Sequence, residues 1–202
     1  MAKIDFKKTL KHLYNPSKKE ISVVDVPPMN YLMIDGKGNP NTAKSFAKAI
    51  ETLYAVSYSL KFTIKKSQQI DYGVLPLEAL WWTPDMAKFS EADKDAWFWT
   101  AMIMQPEYVN ETLLKETIEI VKAKKGPLAL DKLRFDSYHE GKSAQILYIG
   151  PYTEEGPTIQ KIHKHIDDLA GELRGKHHEI YLSDARRTAP ERLKTIIRQP
   201  FK

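Results

Sequence analysis

The chain has 202 residues, 42% hydrophobic and 28% charged, a balance that excludes a disordered chain and leaves enough apolar side chains for a real core. The formal net charge is +5, but the lysines are scattered (Lys7, Lys8, Lys18, Lys19, Lys65, Lys66, Lys124, Lys125), so they read as a solvated basic surface and no nucleic-acid partner is expected. The absence of cysteine excludes disulfides, Cys-zinc sites and thiol nucleophiles and fits a cytoplasmic location. No apolar run reaches the roughly 18 residues of a membrane span, and the first twenty residues lack the apolar stretch of a secretory signal.

Residues 1–20 read as a polar lead-in with a short helix over Phe6, Leu10 and Leu13. Strands follow at Ile21–Val26 and Tyr31–Ile34, closed by the turn cluster Asp35-Gly36-Lys37-Gly38-Asn39-Pro40. Phe46, Ile50, Leu53, Tyr54 and Ser57 fall at helical spacing, which predicts a helix over 42–60. Gly73–Trp82 and Ala96–Met104 read as strands. A connecting helix covers about 107–125, with Lys122, Lys124 and Lys125 at its C-terminal end and Gly126-Pro127 as its stop. Leu133–Tyr138 and Ser143–Gly150 are strands. Ile159, Ile162, Ile166, Leu169 and Leu173 form one helix face, and His178–Leu182 is a strand. Thr188-Ala189-Pro190-Glu191 has the form of a capping box and predicts a C-terminal helix over about 188–198.

The pattern occurs twice. Tyr31–Gly36 followed by Asn39-Pro40 is similar to Gln145–Gly150 followed by Gly156-Pro157, each a strand, a Gly-turn-Pro element, a helix and further strand. An offset of about 115 residues is too long for a solenoid. The fold expected is therefore α+β: two pseudo-twofold βαββ repeats (about 21–105 and 131–183), antiparallel sheets with helices on one face and a ligand cleft on the other.

These residues resemble a known family. The doubled βαββ unit, the turn Ile149-Gly150-Pro151-Tyr152 and the strand His178-Glu179-Ile180-Tyr181-Leu182 are similar to the GyrI-like domain, which also serves as the effector-binding domain of MerR-type and AraC-type multidrug regulators. Pro76–Trp82 and Tyr181–Arg198 look like its free-standing branch, which lacks a DNA-binding domain, and the likeness covers 21–198. The resemblance implies SHS2-type repeats and a cavity with aromatic walls around a central buried glutamate. It also implies a hydrophobic or planar aromatic small molecule as partner, a monomer or weak homodimer, and no cofactor. Some members of the branch resemble cyclopropanoid cyclopropyl hydrolases, which open the strained ring of DNA-alkylating natural products and would detoxify them; others resemble gyrase inhibitors or proteins without known activity, and a chain that only sequesters drugs needs the same cavity. Fold kinship does not choose among these.

Strand alternation puts Glu179 and Tyr181 on one side and Ile180 and Leu182 on the other. If Ile180 and Leu182 pack under the helices, Glu179 faces the cleft, where a carboxylate binds a cation or activates a water as general base; otherwise it pairs with a nearby Arg or Lys. Glu78, Leu80 and Trp82 share a side, so Glu78 either brackets a ligand or pairs with a basic residue. Trp82 and Trp99 are the indoles expected at the cavity, with core packing as the alternative. Tyr148 and Tyr152 flank the Gly-Pro turn, where a hydroxyl can polarise a ligand carbonyl. His163 and His165 are two apart on a helix and face different ways, and no metal-ligand spacing is present, so no metal is expected.

Overall fold

The computed structural model describes residues 3–86, 91–124, 126 and 128–202. Its elements in chain order are the single turns α1 (Phe6–Thr9) and α2 (Lys11–Tyr14), β1 (Ser22–Val26), β2 (Met29–Lys37), α3 (Lys44–Gln68), β3 (Leu77–Trp82), β4 (Phe98–Gln105), α4 (Glu111–Lys124), β5 (Arg134–Tyr138), β6 (Gly141–Ile149), α5 (Gly156–Asp168), β7 (His177–Tyr181) and β8 (Lys194–Pro200). Lys125 and Pro127, read as part of the end of the connecting helix, lie outside the described residues.

The chain forms two units. The first comprises Met1–Phe6, Met29–Leu75 and Trp81–Tyr138; the second comprises Lys7–Pro28, Pro76–Leu80 and His139–Lys202. Strand β3 contributes Trp81 and Trp82 to the first and Leu77–Leu80 to the second. The strand order is β3-β4-β2-β5 in the first unit and β1-β6-β8-β7-β3 in the second. The doubled βαββ unit is plain in this order: β2-α3-β3-β4 and β6-α5-β7-β8. In each copy the first strand pairs antiparallel with the third, β2 with β4 and β6 with β8. Each copy also gains an edge strand that precedes the other copy in the chain, β5 on β2 and β1 on β6. Pro27-Pro28 between β1 and β2 explains why those two do not close a hairpin, since neither proline has an N–H to donate.

In the first unit α3 is an amphipathic helix of 25 residues whose buried stripe, Phe46, Ala49, Leu53, Val56, Leu60 and Ile64, keeps the 3–4 spacing. It runs past the expected end at 60 because Ile64 continues the stripe. In the second unit Ile162 and Ile166 of α5 pack on Ala144, Ile146, Ile197 and Phe201. Helix α5 stops at Asp168 rather than reaching Leu173. Ala170 turns into the left-handed region (φ 53°), and Leu169 and Leu173 are left exposed.

The C-terminal helix expected over 188–198 is corrected. Only Pro190–Arg192 makes a single 3-10 turn, and Lys194–Pro200 is strand β8, hydrogen-bonded to β6 on one side and β7 on the other. Thr195, Ile196 and Ile197 are β-branched, and a central strand covered on both faces has no alternation to betray it. No described helix is long and apolar enough to cross a membrane.

One glycine in the first unit is fixed by a close approach. Gly36 opposes Trp99 in the β2–β4 register, and a Cβ built there would lie 2.1 Å from the indole. Trp99 is itself wedged against Phe46 of α3. Gly36→Ala should therefore destabilise the protein by roughly 1–3 kcal/mol, read as a lowered Tm.

Candidate functional site

Directly opposed residues of antiparallel strands point to the same face of a sheet. In the second unit the register aligns Ile146, Ile197 and Glu179 in one row, and Tyr148, Thr195 and Tyr181 in the next. Ile146 and Ile197 pack on α5, so Glu179, Tyr181, Thr195 and Tyr148 all lie on the face that carries the helix. The alternation argument correctly groups Glu179 with Tyr181. The condition that would turn them away from the helix is not met, because Ile180 points away from α5 together with His178.

Glu179 is held from both sides. The Tyr181 hydroxyl donates to its Oε2 at 2.6 Å, and His177 Nε2 lies 3.1 Å from its Oε1. Its side chain is 13% exposed and that of His177 is 3% exposed. The ring of Tyr152, in the turn before α5, meets Tyr181 edge-on with centroids 5.6 Å apart. The second unit thus gathers a mostly desolvated carboxylate, a tyrosine hydroxyl, an imidazole and an aromatic wall. Chemically, that set can hold a cation, orient a water, or accept a proton from one.

Tyr148 is close to this group by register but committed elsewhere. Its hydroxyl donates to the Pro151 carbonyl at 3.0 Å, and its ring closes over Gly150, whose φ of 155° admits no ordinary side chain. Burial first, then the charges of Glu155 and Glu154, raise its pKa, which keeps the phenol a donor. On the other edge Tyr148 borders a groove of about 360 Å³ between β6 and the start of α5, lined also by Lys18, Thr158 and Lys161.

The opposite face of β7 carries a different arrangement. His178, Arg198 and Gln145 form one row across β7, β8 and β6. His178 Nδ1 lies 3.0 Å from both oxygens of Glu140, and its Nε2 lies 3.0 Å from Glu78 Oε2. Arg198 donates to Glu140 at 3.1 Å, to Gln145 at 2.9 Å and to the Leu13 carbonyl at 2.7 Å. Tyr14 donates to Glu78 at 2.7 Å. The carboxylate of Glu78 is thus taken up by a histidine and a tyrosine in a site without exposure, and the N-terminal segment that supplies Leu13 and Tyr14 is itself buried at those residues.

In the first unit Trp81, Trp97 and Trp99 are packed around the α3 side. Phe46 lies 5.3 Å from Trp81 and 5.0 Å from Trp99, and Trp81 lies 5.6 Å from Trp97. Trp99 is 1% exposed, so the expectation that it is an accessible indole is corrected to core packing. Trp82 is half-buried and stacks on Phe98 at 5.9 Å, with Lys37 over the Phe98 ring.

Sequence reasoning missed His177, Thr195 and the Glu140–His178–Arg198 cluster. His177 was legible, since it lies two residues before Glu179 on the same strand. The others needed the register of β8.

The family described as GyrI-like small molecule binding domain matches residues 19–202. A crystal structure of an uncharacterized conserved protein from Listeria innocua is 36% identical with a TM-score of 0.92, over 99% of this chain and 100% of that one. Two crystal structures of hydrolases from Listeria innocua are similar as well. One is 36% identical with a TM-score of 0.89, over 100% of both chains; the other is 34% identical with a TM-score of 0.86, over 99% of this chain and 100% of that one. No curated protein matches the chain.

Proposed function

We propose a function from one premise: the chain belongs to the family of GyrI-like small molecule binding domains. It binds a planar, hydrophobic aromatic molecule at the Glu179 group and hydrolyses a strained cyclopropanoid ring, a detoxifying reaction. The observation that carries this reading is the Glu179 carboxylate, largely withdrawn from water and clasped by Tyr181 and His177 beside the Tyr152 ring. The full-length likeness to two hydrolases supports it.

In this scheme Glu179 takes a proton from a water molecule, and the water oxygen forms a bond to a ring carbon. The cyclopropane C–C bond breaks. Its electron pair passes through the conjugated system to the carbonyl oxygen, which takes up a proton and becomes a phenol. The sum is addition of one water. Tyr181 and His177 fix the carboxylate and leave it lone pairs for the water. A hydrogen-bond donor at the ligand carbonyl stabilises the charge that gathers there; Tyr152 takes that role, while Tyr148 contributes its ring and takes part as a donor only by giving up its bond to the Pro151 carbonyl. Trp82, half-buried in the first unit, offers an aromatic surface of its own for the same class of ligand.

The test is incubation with a cyclopropanoid compound followed by mass analysis. The expected product is heavier by one water and forms faster than in buffer. Recovery of unchanged compound bound to the protein identifies a sequestering protein instead.

A further inference from the structure

We propose that the groove between β6 and the start of α5 is a second binding site, for an organic anion with a flat apolar body and one carboxylate head. The inference stands independently of the role given to the Glu179 group.

The groove follows from an uneven sheet edge. Strand β1 opposes β6 only as far as Gln145, and β6 runs on to Ile149. The loop carrying Lys18 lies against that overhang and is pinned to it. The Ser17 carbonyl accepts the Leu147 N–H at 3.0 Å, and the Ser17 hydroxyl oxygen accepts the N–H groups of Lys19 and Glu20 at 3.0 and 3.3 Å. From the helix side Lys161 donates to the Lys19 carbonyl at 3.3 Å. Two exposed ammonium groups, Lys18 and Lys161, therefore line one groove of about 360 Å³, and no carboxylate lines it. Glu154 and Glu155, whose charges act on the Tyr148 hydroxyl, are not among the lining residues. Neither lysine forms an ion pair among the described residues. Like charges held at one groove repel, and a bound anion relieves that repulsion. Lys161 keeps N–H donors to spare after its bond to Lys19, and Thr158, one turn earlier on the same face of α5, adds a hydroxyl. The first turn of the helix adds the end of its dipole that favours an anion. The rest of the lining is apolar: Ile149 is 38% exposed beside the ring of Tyr148. That surface calls for an apolar body behind the charged head, and the volume admits a small molecule of roughly one or two rings.

The probes are naphthoate and its neutral isostere naphthamide, titrated into the full chain by calorimetry while backbone amide shifts are followed by NMR. Naphthoate should bind about tenfold more tightly than naphthamide, weaken as salt is added, and shift the amides of Leu147, Ile149, Thr158 and Lys161. Lys18→Gln combined with Lys161→Gln should cut naphthoate affinity by about tenfold, leave naphthamide affinity unchanged and leave Tm unchanged, because both side chains are exposed. Glu179→Gln should leave both affinities as they are. The inference is overturned by equal affinity of the wild type for the two probes, by binding of neither, by undiminished naphthoate binding in the double variant, or by shifts confined to the residues around Glu179.

Discussion

Glu179→Gln should lower turnover of a cyclopropanoid substrate by about 100-fold or more while leaving its affinity within a few-fold of the wild type. Glutamine keeps the length and planarity of the side chain, and its carbonyl oxygen still accepts from the Tyr181 hydroxyl that donates to Oε2. What it loses is the ability to take a proton from water. The two effects separate for that reason: ligand contacts survive while the step that generates the nucleophile does not. The measurement is single-turnover product formation beside equilibrium binding. Undiminished turnover removes Glu179 from the role of base and leaves binding as the function of the site. A loss of affinity matching the loss of rate makes the carboxylate a ligand contact, as it would be for a cationic compound.

Glu179 and Tyr181 were legible as a pair because a period of two needs only the strand itself. Their face was not legible, because it depends on which neighbours complete the rows, and those come from β6 and β8. The strand β8 hid behind two local signals. Thr188-Ala189-Pro190-Glu191 has the residues of a helix start, and the adjacent Ile196 and Ile197 are both buried, so the segment shows no alternation. The doubling of the βαββ unit was readable from the repeated strand-turn-Pro-helix pattern. The exchange of edge strands was not, since nothing local pairs Val24 with Ser143. The tryptophans show the same limit. Trp81 and Trp82 were separable by alternation, but only Phe46, far off on α3, decides which of the indoles are core.

Arg198 marks the limit most sharply. Its partners Gln145, Glu140 and Leu13 lie 53, 58 and 185 residues away in the chain. A positive charge near the end of a basic sequence gives no hint that it is one of the largest fully buried side chains in the molecule. Its burial makes the second prediction. Arg198→Met should cost about 3–5 kcal/mol, because it leaves Glu140 without its guanidinium and strips hydrogen bonds from Gln145 and the Leu13 carbonyl in a site closed to water. At roughly 2–4 °C per kcal/mol for a protein of this size, the expected fall in Tm is on the order of 10 °C.

The same cluster sets a pH window. Burial alone would lower the pKa of His178, but the charge and hydrogen bond of Glu140, joined by Glu78, outweigh it and raise the value from 6.5 to about 9. Burial would raise the pKa of Glu140, but His178 and Arg198 outweigh it and hold the value at about 2 instead of 4.5. A raised histidine contributes stability that is complete below pH 6.5 and is lost as the pH climbs through 9. A depressed carboxyl contributes stability that is complete above pH 4.5 and is lost as the pH falls toward 2. Tm should therefore be highest and nearly flat between pH 4.5 and 6.5 and decline on either side. The alkaline arm belongs to His178 and the acid arm to Glu140, so His178→Gln should flatten the decline above pH 6.5 while lowering stability throughout. Differential scanning calorimetry across the range checks both arms. An alkaline decline that persists undiminished in His178→Gln assigns the loss to other groups and leaves the buried imidazole as a neutral hydrogen-bonding partner.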